Sequence, residues 1–134
     1  MRIISKYCQL TTLACLFLGL SSSWVLADSA LIESVSPQEA AVMVTQKQAI
    51  IVDVRDDDEW AEQHIAGAIH IPLAKLNERL AELKQYKNSP IITQCRSGGR
   101  SAKALDLLKA TGFSHVYNME GGIQAWQQHG LTTE

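Results

Sequence analysis

Seven consecutive residues, Cys95-Arg96-Ser97-Gly98-Gly99-Arg100-Ser101, bring together the groups needed to hold an anion and attack it. A cysteine reacts as its thiolate, so its chemistry depends on what stabilises a negative sulfur. Arg96 and Arg100 supply positive charge. Gly98 and Gly99 allow backbone conformations that turn successive N–H groups inward into a concave anion cradle. A helix is predicted to follow, adding its positive end, with Ser101 as its N-cap and Ser97 as a further hydroxyl of the loop. Such surroundings lower a thiol pKa from about 8.5 into a range of roughly 3.5 to 7.5. A cation at a helix start is unfavourable unless it meets an anion, so Arg100 calls for a bound anion or a carboxylate, and Asp53 is the candidate carboxylate. Arg96 fits the surface nearly as well as the cradle. Buried cysteines commonly act as small hydrophobes, but a Gly-Gly-Arg loop is a poor place for inert packing.

The loop needs a strand before it and a helix after it, and the surrounding pattern provides both. Pro90 to Gln94 reads as a short buried strand, and the helix after the loop runs to Lys109, with Gly112 as its stop. Upstream, Leu31 to Val35 reads as a strand. Ser36-Pro37-Gln38-Glu39 then gives N-cap, proline at the first helical position and a capping-box glutamate for a helix to Thr45. Ala49 to Val54 is a continuous β-branched run, the signature of a strand covered on both faces of a parallel sheet. Asp57 or Asp58 caps a short helix from Glu59 to Gln63, and Ala68 to Ile71 is another strand. Leu73, Leu76, Leu80 and Leu83 predict an amphipathic helix over 74–85. His115 to Met119 gives the last strand, and Gly121-Gly122 turns into a helix carrying Ala125 and Trp126. This alternation predicts a three-layer α/β domain, a mostly parallel central sheet flanked by helices, with Cys95 at the carboxyl edge where such sheets bind ligands.

The chain has 134 residues with 12 basic and 14 acidic side chains, a balance that argues against nucleic-acid binding by bulk charge. Charge is unevenly spread. Residues 1–27 contain Arg2 and Lys6, no acid, and an apolar stretch from Leu10 to Leu20, followed by Val25-Leu26-Ala27. That layout predicts a signal peptide cleaved before Asp28, leaving a domain at 28–134 in a periplasmic or extracellular setting. The apolar stretch falls short of the roughly 20 residues a membrane span needs, so no stable anchor is expected. Cleavage removes two cations and takes the net charge from −2 to −4, and of the three cysteines it leaves Cys95 alone. A solitary thiol in an oxidising compartment forms no internal disulfide and needs another molecule, such as a thiol-reducing protein partner, to keep it reduced.

The segment Cys95 to Ser101 resembles the active-site loop of the rhodanese (sulfurtransferase) family: Cys, four intervening residues, Arg, then Ser or Thr. Two other stretches are similar to that family's signatures. One is Ile51-Val52-Asp53-Val54-Arg55 with Glu59 and His64 to Pro72; the other is Asn118-Met119-Glu120-Gly121-Gly122 with Trp126. The resemblance implies a rhodanese-like three-layer fold in which Cys95 carries a persulfide within a cradle made by Arg96, Ser97, Gly98, Gly99, Arg100 and Ser101. Asp53 and Arg55 act as structural support. It also implies a small anionic donor such as thiosulfate, a cyanide or thiol acceptor, and no metal or organic cofactor. The alternative is a persulfide carrier or redox partner module with little thiosulfate turnover. Tyrosine-phosphatase-like relatives place five residues between cysteine and arginine, so the four found here argue against phosphatase chemistry.

Other suggestive residues read more simply. Asp56, Asp57 and Asp58 suit a helix-capping turn better than a cation site, because no further ligand spacing follows. His64, His70, His115 and His129 lack zinc-like spacing, and His64 is expected to be structural. Gly121-Gly122 lacks the downstream glycine and lysine of a nucleotide loop. Trp60 and Trp126 are expected to pack in the core.

Overall fold

The computed structural model describes residues 33–47 and 49–134. The leader, its cleavage point and the start of the first predicted strand lie outside these residues. Strands β1 (Ser34–Val35), β2 (Ile50–Asp53), β3 (Ile69–His70), β4 (Ile91–Gln94) and β5 (Val116–Met119) form one sheet in the order β1-β5-β4-β2-β3. Every strand pair is parallel. β4 lies between β2 and β5, with Asp53 opposite Gln94 and Asn118 opposite Thr93, so the ends of three strands converge on Cys95.

Helices α1 (Pro37–Lys47), α2 (Asp57–Glu62), α3 (Leu73–Leu76), α4 (Gly99–Ala110) and α5 (Gly122–Gln128) connect or follow the strands. Alternate strand residues enter two separate cores. Val52, Ile91 and Cys95 pack with Leu76, Leu83, Leu105 and Leu108 on the α3 and α4 side. Ile51, Ile92 and Met119 pack with Ala40, Met43, Ile123 and Trp126 on the α1 and α5 side. Burial on both faces is the physical content of the unbroken apolar strand runs. No helix among the described residues is long and apolar enough to cross a membrane.

The Ser36–Glu39 capping box forms as predicted: Glu39 accepts the Ser36 N–H at 2.8 Å and donates its own N–H to the Ser36 hydroxyl at 3.2 Å. Gly112 ends α4 with a φ of 96°, and the Phe113 N–H returns to the Leu108 carbonyl at 3.1 Å. Three local expectations are corrected. The cap of α2 is Asp56, with Glu59 reaching back to its N–H at 3.2 Å, so the helix starts earlier than predicted. The helix starting at Gly99 is capped by Gly98, and Ser101 therefore lies inside its first turn. Finally, the predicted helix over 74–85 is α3, a turn, and then a 3-10 helix at Leu80–Tyr86. Leu80, Leu83 and Tyr86 all pack on the same core, and their spacing of three fits three residues per turn. In an α-helix Tyr86 would rotate away from that face.

Candidate active site

Cys95 leaves β4 with its residue only 1% exposed, and the loop folds around its sulfur. The Gly98 N–H donates to Sγ at 3.1 Å, from a backbone with φ of 110° that favours glycine. The Ser101 Oγ lies 3.3 Å from the same sulfur. Burial pushes the thiol up, but the Ser101 hydroxyl and the N–H groups of Ser101, Gly98 and Ser97 outweigh it, so Cys95 ionises below its ordinary value. Of the two loop glycines, Gly98 bonds the sulfur and Gly99 opens α4. Ser101 contributes as a buried hydroxyl of the first helical turn, not as the cap.

Arg100 meets a carboxylate, but the partner is Glu59 on α2 instead of Asp53. Its Nη1 and Nη2 donate to Glu59 Oε2 and Oε1 at 2.7 and 2.8 Å, and Nη1 also reaches Asp56 at 3.3 Å. The Arg100 guanidinium pulls Glu59 down to about 2, against a burial effect that raises it. Asp53 is taken by Arg55, which donates through Nε at 3.0 Å and Nη2 at 2.6 Å. Arg55 also donates to the carbonyls of Glu59 and Gln63, at 3.2 and 2.8 Å. This buried pair sews the end of β2 to α2 and stays out of hydrogen-bond reach of the sulfur. Arg96 and Ser97 are exposed, and Arg96 has no ion-pair partner among the described residues.

The β5–α5 connection closes the site from the other side. Asn118 accepts the Ser101 hydroxyl at 2.6 Å through Oδ1 and donates to the Gly98 carbonyl at 3.3 Å through Nδ2. The N–H groups of Ile123 and Gln124 bond the carbonyls of Cys95 and Arg96 at 2.8 and 3.2 Å. A Cβ on Gly122 would lie 2.2 Å from the Cys95 carbonyl oxygen, so only glycine permits this approach. Asn118, Gly122 and Glu59 lie within sequence motifs, but their contacts with the loop exist only through tertiary approach. The signal available for Asn118 was its place at the end of a strand adjacent to β4.

Among the described residues no group of three acidic, histidine or cysteine side chains could hold a metal ion. His64 is structural: its Nδ1 meets the Trp60 carbonyl at 3.0 Å, and its backbone pairs with that of Glu134. Trp126 is core, as expected. Trp60 is not; it is half-buried and stacks between His64 and His70, with ring centroids 3.9 and 4.7 Å away.

The sheet order and the buried cysteine at its carboxyl edge, met by the Gly98 N–H and the Ser101 hydroxyl, define an α/β protein with a candidate nucleophile. The family model for the rhodanese-like domain matches residues 36–129. The chain is 35% identical over 102 residues to thiosulfate sulfurtransferase GlpE of Coxiella burnetii, covering 76% of this chain and 94% of that protein. It is 34% identical to thiosulfate sulfurtransferase GlpE of Pseudomonas fluorescens, covering 68% and 82%. A rhodanese-related protein of Thermoplasma volcanium superposes with a TM-score of 0.69 at 27% identity, covering 76% of this chain and 97% of that one. The chain belongs to the rhodanese-like family.

Proposed function

We propose that this chain is a sulfurtransferase that moves a sulfane sulfur from thiosulfate, or a related small anionic donor, through a persulfide on Cys95. The Cys95 thiolate attacks the donor's outer sulfur, the donor's S–S bond breaks, and sulfite leaves with the bonding electron pair. An acceptor, cyanide or a thiol, then takes the outer sulfur and returns Cys95 to its thiolate. Loop N–H groups stabilise the negative sulfur throughout, and the Arg96 charge, with no ion-pair partner among the described residues, favours an anionic donor, Arg100 being held by Glu59 and Asp56. The observation that carries this reading is the Cys95 sulfur held by the Gly98 N–H and the Ser101 hydroxyl in a ring with four residues between Cys95 and Arg100. Intact mass after incubation with thiosulfate tests it: one added sulfur is expected, absent in Cys95→Ser. No gain would reject the proposal. Steady turnover with thiosulfate and cyanide separates an enzyme from a persulfide carrier, which would hold its sulfur with little turnover.

Residues 1–27 are proposed to be an export leader, sending residues 28–134 to the periplasm or outside, where a thiol-reducing protein would serve Cys95. Sequencing the N-terminus of chain recovered from a periplasmic extract should give Asp28 first. A retained Met1 in the cytosol would reject export.

A further inference from the structure

Thr93 stands on β4 two residues before Cys95, so the two side chains leave the same face of the strand. Ile91 and Cys95 on that face belong to the α3 and α4 core, and Thr93 between them is fully buried. Valine, of nearly the same shape, would fill this place with no polar atom to satisfy. The hydroxyl has a use. Its single proton is directed to two backbone carbonyls, Ser101 at 2.9 Å and Tyr117 at 3.1 Å, the nearer being that of Ser101.

Ser101 is the residue whose place matters to the sulfur. Its hydroxyl lies 3.3 Å from Cys95 Sγ, and its backbone N–H also favours the thiolate. It sits in the first turn of α4, behind Gly98 as the cap and Gly99 as the first helical residue. Two glycines make that turn costly to order, and the first N–H groups of a helix have no partners within it. The turn is therefore held from outside. Asn118 reaches the Ser101 hydroxyl from β5, and Glu59 reaches Arg100 from α2, both by side chain to side chain contact. Thr93 grips the Ser101 backbone instead, and it does so from the strand that leads to the nucleophile. One strand thus fixes both ends of the contact between serine and sulfur. We propose that Thr93 is a positioning residue for the nucleophile, its hydroxyl holding the start of α4 at the spacing from β4 where Ser101 meets the Cys95 sulfur. What the sulfur then does, capture of a sulfane sulfur, rests on the sulfurtransferase reading.

The test follows iodoacetamide alkylation of the full protein across pH, beside urea unfolding of the same variants. Thr93→Val removes the hydroxyl at nearly constant shape, and the inflection of its alkylation profile should rise by about half a unit, roughly a threefold loss of thiolate below it. Thr93→Ala and Thr93→Ser form a second pair, which decides alone if Thr93→Val fails to fold. Both open space in the core and should lose stability, but only serine keeps the hydroxyl. Thr93→Ser should therefore keep the wild-type inflection while unfolding more easily, and Thr93→Ala should shift as Thr93→Val does. An unmoved inflection in either folded variant without the hydroxyl would overturn the assignment and leave Thr93 to packing alone. Equal shifts in Thr93→Ala and Thr93→Ser would also overturn it, tracing the effect to lost volume. Wild type that alkylates as described yet gains no sulfur from thiosulfate would reject the sulfurtransferase reading and leave the role of Thr93 standing.

Discussion

Ser101 has one hydroxyl proton and three acceptors: Asn118 Oδ1 at 2.6 Å, the Gly98 carbonyl at 3.1 Å and Cys95 Sγ at 3.3 Å. While the thiol is protonated, its S–H can turn to the serine oxygen and the hydroxyl to Asn118. Ionisation draws the hydroxyl onto the sulfur, so Asn118 competes with Cys95 for that proton. Asn118→Asp should hold the hydroxyl more tightly and repel the thiolate, and Ser101→Ala removes the donor. Both should move the inflection of the pH profile for iodoacetamide alkylation upward by about one unit, roughly 1.4 kcal/mol. An unmoved inflection in both folded variants would remove the hydroxyl from Cys95 ionisation. The nucleophile and its glycine loop were legible in the sequence because they are contiguous. Asn118 was not, since it reaches Ser101 only through the pairing of β5 with β4.

Arg100 and Glu59 tie the start of α4 to α2 across 41 residues of chain. Glu59 sits below its unfolded value of 4.5, at about 2, so the stability it contributes is complete above about 4.5 and is lost as pH falls toward 2. Wild type and Glu59→Gln should differ in urea unfolding by about 1 kcal/mol at pH 6, because both side chains keep contact with water, and the gap should shrink as pH falls below 4.5 and close below about 2. A gap that persists in acid would assign the loss to the helix cap. The need for a carboxylate near Arg100 could be read from a cation at a helix start, but its identity could not, because Asp53 is claimed by Arg55 two residues away. The Ser36–Glu39 box was legible for the opposite reason, being wholly local. The 3-10 helix was missed because leucines at 73, 76, 80 and 83 satisfy an α-helical spacing until Tyr86 is counted.

Across the whole molecule, the alternation of strand and helix signals was enough to read three layers and a parallel sheet. Pairing order and the division of the strands between two cores are set by long-range packing that no local pattern carries. One buried group opposes this arrangement: Gln94 is fully buried, and neither its Oε1 nor its Nε2 has a hydrogen-bond partner among the described residues. Gln94→Met keeps its length and removes the unsatisfied atoms, so it should stabilise the fold by about 1 kcal/mol in denaturant unfolding. A loss of stability would show that the amide is satisfied by something it recruits.

The Trp60 sandwich reaches beyond packing. The indole lies flat against two imidazoles, one just after α2 and one on β3, and an indole so covered emits less light. Fluorescence from this chain will therefore brighten when α2 loosens from β3, so an optical unfolding trace reports that seam as well as the core.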